Sequence, residues 1–514
     1  MRDFRSGARP ARAGVAVVVA LLLAALGVVP AMGVPVDINP DTSDNANANA
    51  ASGGRVNHMA AVPGDNDTFY LASEYGGVFR TTDAGVTWTR LNNHHPVVAW
   101  DVEVDGANTN RVIATSWYDG RVDPESGIQV STDAGTNWAQ PATSWPDPAL
   151  EGTANDNTAP GWSCANVRTE PSAYGISIQG STIAVGTNCG LALSTDSGAT
   201  WDFVDPTPAT AASRIWDVLV QPGGIIDICG DTDDHQRSTD GGANWTAGSA
   251  AVPQGRCSLS ASPDENDVLF VFASDNNVYE SDDAGANWFN LGNPQLQGRI
   301  PFVATNQRAN DGGGNNLFDL WAGDVQLFRA GCTTPADTTN TTTRRCPASG
   351  TWTNAQNGAH FDGGDLLFDS EVAVDACPVL YSSDGGVHRN TIAAGPGCQA
   401  PTWTRSNVGY HGLWLWTMDG SNVAGNTQEQ LLFGTQDNGT FSTVNAGANP
   451  PTWTNPNCCD TFDVVANPTL TMGTTCCFNS GRFNRLQLAG ANYAGPAEIP
   501  NYPSTAGIPT FNWG

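Results

Sequence analysis

The chain has 514 residues, with 22 basic side chains against 51 acidic ones and a formal charge of −29. All the basic residues are Arg. So acidic a chain argues against nucleic acid and anionic membrane surfaces as partners, because both are bound through clustered positive charge. The length is enough for a large core and more than one domain.

Residues 1–33 read as a secretory signal peptide. Arg2, Arg5, Arg9 and Arg12 form a positive start, residues 13–29 are apolar, and Ala31-Met-Gly33 is a small-x-small cleavage site. An uncleaved anchor helix is the competing reading, and the apolar run is near the lower length limit for it. No later segment is hydrophobic enough to span, so no membrane insertion is expected after cleavage. Without residues 1–33 the chain carries 18 Arg and 50 acidic residues, a net of −32. Residues 34–54, rich in Asn, Ala and Asp, read as a flexible leader. The expected location is secreted or cell-surface.

From residue 55 onward the chain repeats. Five stretches follow Ser/Thr-x-Asp-x-Gly-x-Thr/Asn-Trp, centred on Asp83, Asp133, Asp196, Asp240 and Asp283 and ending at Trp88, Trp138, Trp201, Trp245 and Trp288. Short β-rich runs alternate with Gly, Asn and Asp, as in Arg214-Ile-Trp-Asp-Val-Leu-Val, which predicts four strands per unit. The motif falls in the hairpin between the third and fourth strands. Its Gly permits positive φ, and its Asp and Ser/Thr oxygens bond backbone N–H groups within the turn. Trp352, Trp403, Trp453 and Trp513 continue the series past the five clean copies. In the sixth unit a Thr-rich loop between Cys332 and Cys346 replaces the motif, and in the eighth Asn445 stands for Asp. Four-stranded units at this period predict an all-β fold, a β-propeller of about nine blades. Two arrangements fit: one large ring, or a seven-bladed ring over residues 55–405 with further blades in 406–514 that start a second, truncated one.

The twelve cysteines of an exported chain point to disulfides. Neighbours in sequence suggest Cys164–Cys189, Cys229–Cys257, Cys332–Cys346 and Cys377–Cys398, with Cys458, Cys459, Cys476 and Cys477 pairing across a hairpin. No Cys-x-x-Cys spacing supports zinc.

The five repeats resemble the Asp-box, or BNR, repeats of sialidases, xyloglucan-cleaving hydrolases, sortilin-type receptors and photosystem assembly factors. The run His360-Phe-Asp362-Gly-Gly-Asp365, the turn Ser383-Asp384-Gly385-Gly386-Val-His-Arg389 and the turn Gly434-Thr-Gln-Asp437-Asn-Gly439-Thr look like secreted bacterial BNR/sortilin-like tandem propellers. The resemblance covers about residues 57–454. It implies the fold and leaves activity open, since these families include hydrolases, receptors and assembly factors.

A sialidase carries Arg-Ile-Pro before its first Asp-box, whereas Arg299-Ile-Pro301 follows the fifth repeat here. A polysaccharide hydrolase needs two carboxyl groups flanking the sugar bond. In propellers the loops between second and third strands, and between blades, gather on the face opposite the Asp-box hairpins. The five motif Asp residues therefore read as structural. Alignment of the blades places Asp384 and Asp437 in equivalent turns, where the first blade has Glu74. Asp384, Asp437, Asp362 and Asp365 are the catalytic candidates. His360, Gln436, Tyr410 and His411 are the substrate-binding ones, with Trp414 and Trp416 as stacking platforms. The competing reading is that Asp-Gly-Gly and Gln-Asp-Asn-Gly are simply good turns. Asp231 and Asp233, in an acidic loop, are candidate calcium ligands, and no other cofactor is expected. No nucleophile elbow, phosphate loop or dinucleotide fingerprint is present. The sequence thus reads as a secreted propeller that binds or hydrolyses extracellular glycan. The alternative is a non-catalytic propeller that binds a protein partner or acts as a surface scaffold.

Overall fold

The computed structural model describes residues 39–40 and most of 52–498; stretches outside the description include 147–156, 163–171 and 335–343, and the side chains from 471 onward. The described residues form nine antiparallel sheets in chain order, seven four-stranded and two three-stranded. Among the described residues one 3-10 turn, Ser349–Thr351, interrupts the β-structure. The second and eighth sheets each gain a fourth position from an isolated bridge, Val130 to Ala139 and Ser442 to Thr454.

Each sheet is a meander of one contiguous stretch. The first is Val56–Val62, Asp65–Ser73, Gly77–Thr81 and Thr89–Arg90. The seventh is Gly363–Phe368, Pro378–Ser383, Gly386–Asn390 and Trp403–Arg405. First strands of successive sheets pack on one another from the first sheet to the seventh, and the seventh packs back on the first. The eighth and ninth sheets pack together through their own first strands. The fold is a β-propeller.

Apolar side chains are buried between sheets rather than in one central core. Val56, Phe69 and Phe79 of the first sheet meet Leu380 and Val387 of the seventh. Phe270 and Phe272 of the fifth meet Phe318 and Leu320 of the sixth. Leu432 of the eighth meets Val464 of the ninth. Each interface removes apolar area from water at roughly 25 cal/mol per Å².

The repeated hairpin is built as its residue types require. In the fourth sheet Ser238 Oγ donates to Asp240 Oδ1 (2.9 Å) and accepts from the Gly242 N–H (2.8 Å). Asp240 Oδ1 accepts from the Asn244 N–H (2.8 Å) and Oδ2 from its side-chain amide (2.6 Å). The hairpins of Asp83, Asp133, Asp196 and Asp283 repeat this pattern. The Trp does more than cover its own turn. Trp88 packs against the seventh sheet, Trp201 joins the cluster between the second and third, and Trp288 the one between the fourth and fifth. The motif Gly allows this lean on the preceding sheet. A Cβ on Gly135 would lie 2.5 Å from Leu91, at a φ of +83°.

Polar joints also link the inner strands. Asp101, Asp217, Asp365 and Asp419 each accept from the N–H of the next residue and from an inner-strand N–H of the following sheet. For Asp365 these donors are Leu366 (2.7 Å) and Met59 (2.9 Å), so it joins the seventh sheet to the first.

Three expected disulfides are present, Cys229–Cys257, Cys332–Cys346 and Cys377–Cys398. Cys189 is also disulfide-bonded, while its expected partner Cys164 lies outside the described residues, as do Cys458 and Cys459. Cys476 and Cys477 lie on a described strand, but their side chains are outside the description.

Candidate functional site

In a meander the turn between second and third strands returns to the end where the first strand begins. The Glu74 N–H accordingly bonds the Arg55 carbonyl at 3.2 Å. The motif hairpins lie at the other end. Two clusters occupy the face away from the motif.

The first is a set of carboxyl groups around Arg55. The Arg55 side chain is 7% exposed and lies 2.6 Å from Asp384 Oδ1. It also donates to the carbonyls of Asp362 (2.5 Å) and Gly363 (3.3 Å) and to Asn57 Oδ1 (3.1 Å). The Arg55 carbonyl accepts from the Tyr410 hydroxyl at 2.7 Å. Asp437 comes from the equivalent turn of the eighth sheet. Its N–H bonds Asp460 Oδ1 (2.9 Å), and the next side chain, Asn438, donates to the Asp384 carbonyl (3.1 Å). Asp362 and Asp437 both hold φ near +60°, which Asp tolerates better than most residues. Burial pushes the Asp437 carboxyl up to about 8, reinforced by Asp384 and Asp460 and by a hydrogen bond to Asp384. Burial also pushes Glu74 up to about 7; Asp384 adds to that and Arg55 opposes it. Asp384 thus lies within Coulomb reach of two carboxyl groups, Glu74 losing its proton near neutrality and Asp437 above it.

The second cluster crosses the propeller axis. Trp100 and Trp117 come from the second sheet, Tyr174 from the third, Arg214 and Trp216 from the fourth, and Arg256 precedes the fifth. Trp100 and Trp216 lie 5.8 Å apart although their sheets are not neighbours. The Arg256 guanidinium carbon sits 4.6 Å from the Trp100 ring centre and 5.1 Å from that of Trp216. Arg214 lies 4.8 Å from the Trp216 ring centre and 5.5 Å from that of Tyr174. Cation–π contacts of this kind are worth roughly 0.5–2 kcal/mol each. Trp100 and Tyr174 are buried beneath, while Trp216, Arg214 and Arg256 keep part of their surface open. Arg256 and Arg55 are electrostatic neighbours: burial, then Arg55, push the Arg256 guanidinium down to about 10, while Glu74 and Asp324 counteract.

Not every residue singled out from sequence belongs to these clusters. Asp384, Asp437 and Asp362 come together. Gln436 flanks them, its N–H bonding the Trp414 carbonyl at 3.1 Å. Trp414 is exposed and rests on Tyr75, next to Glu74, at 4.6 Å between ring centres, and Trp416 meets its edge at 6.1 Å. His411 is exposed at the entry to the eighth sheet. Asp365 sits at a joint between sheets, its oxygens accepting from the Leu366 and Met59 N–H groups. Tyr410 is fully buried, bonded to Ser73 and the Arg55 carbonyl, so it supports Arg55 from behind. His360 is buried, its ring bonding the Phe361 carbonyl and its N–H bonding His388. Asp231 accepts from Trp216 Nε1 at 2.6 Å and lies 3.6 Å from Arg214; Asp233 and Arg299 lie outside the described residues. Among the described residues no group of three or more His, Cys, Asp or Glu side chains is placed to hold a metal ion.

The aromatic and Arg stack was not among the sequence candidates. Its signal is the repeated Trp-Asp-Val at 100–102 and 216–218, a bulky ring just before the Asp that joins sheets.

No protein-family model and no curated protein matches the chain. Among solved structures it is similar to an ancestral GH74 enzyme, at 15% identity and a TM-score of 0.59, over 88% of this chain and 63% of that one. It is similar also to the GH74 enzyme of Niastella koreensis (17%, TM-score 0.53, 88% and 67%) and to the GH74 xyloglucanase of Xanthomonas campestris (14%, 0.55, 88% and 69%). The chain thus spans less than two thirds of the ancestral enzyme's length. At these identities the likeness shows the propeller fold.

Proposed function

We propose that this protein is a secreted Asp-box propeller that binds and hydrolyses extracellular glycan on the face opposite its motif hairpins. The observation that carries this reading is the convergence of Glu74, Asp384 and Asp437 near Arg55, with the exposed Trp414 beside them. Hydrolysis of a glycosidic bond needs one carboxyl that still holds a proton and one that has lost it. Asp437, pushed up to about 8, suits the acid, and Glu74, at about 7, suits the carboxylate that activates water. Trp414, resting on Tyr75 beside Glu74, offers a face for a sugar ring. One of the structurally similar GH74 enzymes is a xyloglucanase, which agrees with this chemistry. The return of the seventh sheet onto the first supports a seven-bladed ring, with the eighth and ninth sheets outside it.

The test is release of reducing ends from a panel of plant and microbial polysaccharides. Glu74→Gln and Asp437→Asn are each expected to lower the rate by about 100-fold or more while leaving binding in place. A chain that neither binds nor cleaves any polymer of the panel sinks the reading. Full activity in both variants sinks the assignment of the acid and base.

A further inference from the structure

We propose that Tyr410 is a positioning residue for the carboxyl groups of this face. Its hydroxyl fixes the backbone that carries Arg55 and Glu74 to the segment joining the seventh sheet, which holds Asp384, to the eighth, which holds Asp437. This rests on the reading of those groups as acid and base, and it deepens that reading.

The segment, residues 406–413, is a clasp over the seam where the seventh sheet returns to the first. The same hydrogen bonds close the seam before it. After the sixth sheet, the carbonyls of Ala355 and Asn357 accept from Trp403 Nε1 and from its backbone N–H, both at 2.9 Å. After the seventh, the carbonyls of Ser406 and Val408 accept from Trp88 Nε1 (2.9 Å) and its N–H (2.8 Å). Gly358 and Gly409 come next in the two copies, and a Cβ on them would lie 2.6 and 2.2 Å from the carbonyl oxygen of the same Trp. The exit of the seventh sheet thus treats the first sheet as its successor. Asn407 grips the seventh sheet, accepting from the Val387 N–H and donating to the Gly385 carbonyl, both at 2.8 Å. The far end of the clasp is held where the Gly412 N–H bonds the Gly53 carbonyl at 3.0 Å.

The two copies diverge at the following residue. The exit of the sixth sheet has Ala359 there, and that of the seventh has Tyr410, 0% exposed. The Tyr410 hydroxyl donates to the Arg55 carbonyl at 2.7 Å and lies 2.8 Å from Ser73 Oγ. That carbonyl also accepts from the Glu74 N–H at 3.2 Å, so one oxygen atom joins Arg55, Glu74 and the clasp. Packing does not require the hydroxyl, since the edge-on contact with Phe79, 5.0 Å between ring centres, is one that Phe would keep. A buried hydroxyl is costly unless it is bonded, and this one spends its bonds on the backbone beside Glu74. Arg55 meets Asp384 at 2.6 Å, and Asn438, next to Asp437, donates to the Asp384 carbonyl at 3.1 Å. The clasp therefore sets how far Glu74 stands from the carboxyl groups of the seventh and eighth sheets, a separation on which glycoside hydrolysis depends.

The experiment compares the full chain with Tyr410→Phe and with Tyr70→Phe, which removes a hydroxyl bonded to the Ala134 carbonyl at the seam of the first and second sheets. Glutamate carboxyl carbons are labelled with carbon-13 and followed by NMR against pH, and Glu74→Gln identifies the Glu74 signal. Burial holds Glu74 up, Arg55 opposes it, Asp384 adds to it and Arg256 opposes it. Without the Tyr410 hydroxyl the Arg55 backbone is freed and its hold on Glu74 weakens. Glu74 is expected to titrate about half a pH unit or more higher in Tyr410→Phe and to stay in place in Tyr70→Phe, both variants giving cooperative melts. On a polymer that the chain cleaves, kcat is expected to fall roughly tenfold in Tyr410→Phe with KM unchanged. A Glu74 titration unmoved or lowered in Tyr410→Phe overturns the inference, as does an equal shift in Tyr70→Phe, an unchanged kcat, or a Tyr410→Phe chain that does not fold. The titration needs no substrate: if Glu74 moves as expected and no polymer is cleaved, the positioning stands and the hydrolase reading falls.

Discussion

Arg55 and Asp384 meet at 2.6 Å although 329 positions of chain separate them. The pair ties the segment before the first sheet to the turn of the seventh that carries a candidate site carboxylate. Both side chains are largely buried, so removing one leaves the other charged and unpaired. Arg55→Leu is expected to lower stability by about 3 kcal/mol, measured by urea unfolding. Arg55→Leu with Asp384→Asn is expected to recover a good part of that loss. A double variant no more stable than the single one counts against the pair as the source.

The inner strands carry a second acidic group whose effect is a pH dependence. Asp101, Glu103, Asp217 and Asp365 lie within Coulomb range of one another along the inner strands. Burial, then Asp365, pushes Glu103 up to about 8; burial pushes Asp217 and Asp365 up to about 6. The folded chain therefore holds protons that the unfolded chain releases near pH 4. Stability is expected to fall as pH rises from about 4 to 8. Glu103→Gln should raise the melting temperature at about pH 8, by on the order of 1–2 kcal/mol of stability, and change little near pH 4. A stability that climbs through this window contradicts the account.

Ser238 is the least replaceable part of its hairpin. Its buried hydroxyl donates to Asp240 and accepts from Gly242, whose N–H loses its partner in Ser238→Ala. The expected cost is about 1–2 kcal/mol in denaturant unfolding. Because the hairpin lies on the opposite face, glycan binding should not change. A variant that folds normally and loses binding would mean that the two faces communicate.

The Cys229–Cys257 bridge closes a separation of 28 residues and ends one position from Arg256. Replacing both cysteines by Ser should cost roughly 3 kcal/mol in the chain-entropy account of disulfides. It should also loosen the segment that holds Arg256 over Trp100, read as faster amide hydrogen exchange around residue 256. Unchanged exchange there would detach the bridge from the stack.

The parts of this molecule legible in sequence are those made by short-range chemistry. The Ser238–Asp240–Gly242 turn is closed by bonds spanning four residues or fewer, and three disulfides link cysteines 14 to 28 positions apart. Repetition extended this reach, since Glu74, Asp384 and Asp437 occupy the same turn of different sheets. Asp365 escaped because its partner Met59 lies 306 positions away, and a carboxylate that joins strands looks in sequence like one that performs chemistry. The stack of Trp100, Trp216 and Arg256 escaped for a related reason. Its members come from sheets that share no ladder and meet only once the sheets are arranged about one axis.

The lean of each motif hairpin onto the preceding sheet gives assembly a direction. A chain leaving the ribosome completes its sheets from the N-terminus. From the second sheet to the seventh, each new Trp finds its resting surface already folded. Trp88 has no such surface: its neighbours, Leu380 and the Ser406 carbonyl that accepts its Nε1–H at 2.9 Å, are made some 300 residues later. The first sheet must wait with one flank open through most of synthesis. That flank is where a nascent chain of this kind is most exposed to premature association, and where a folding helper would have most to cover.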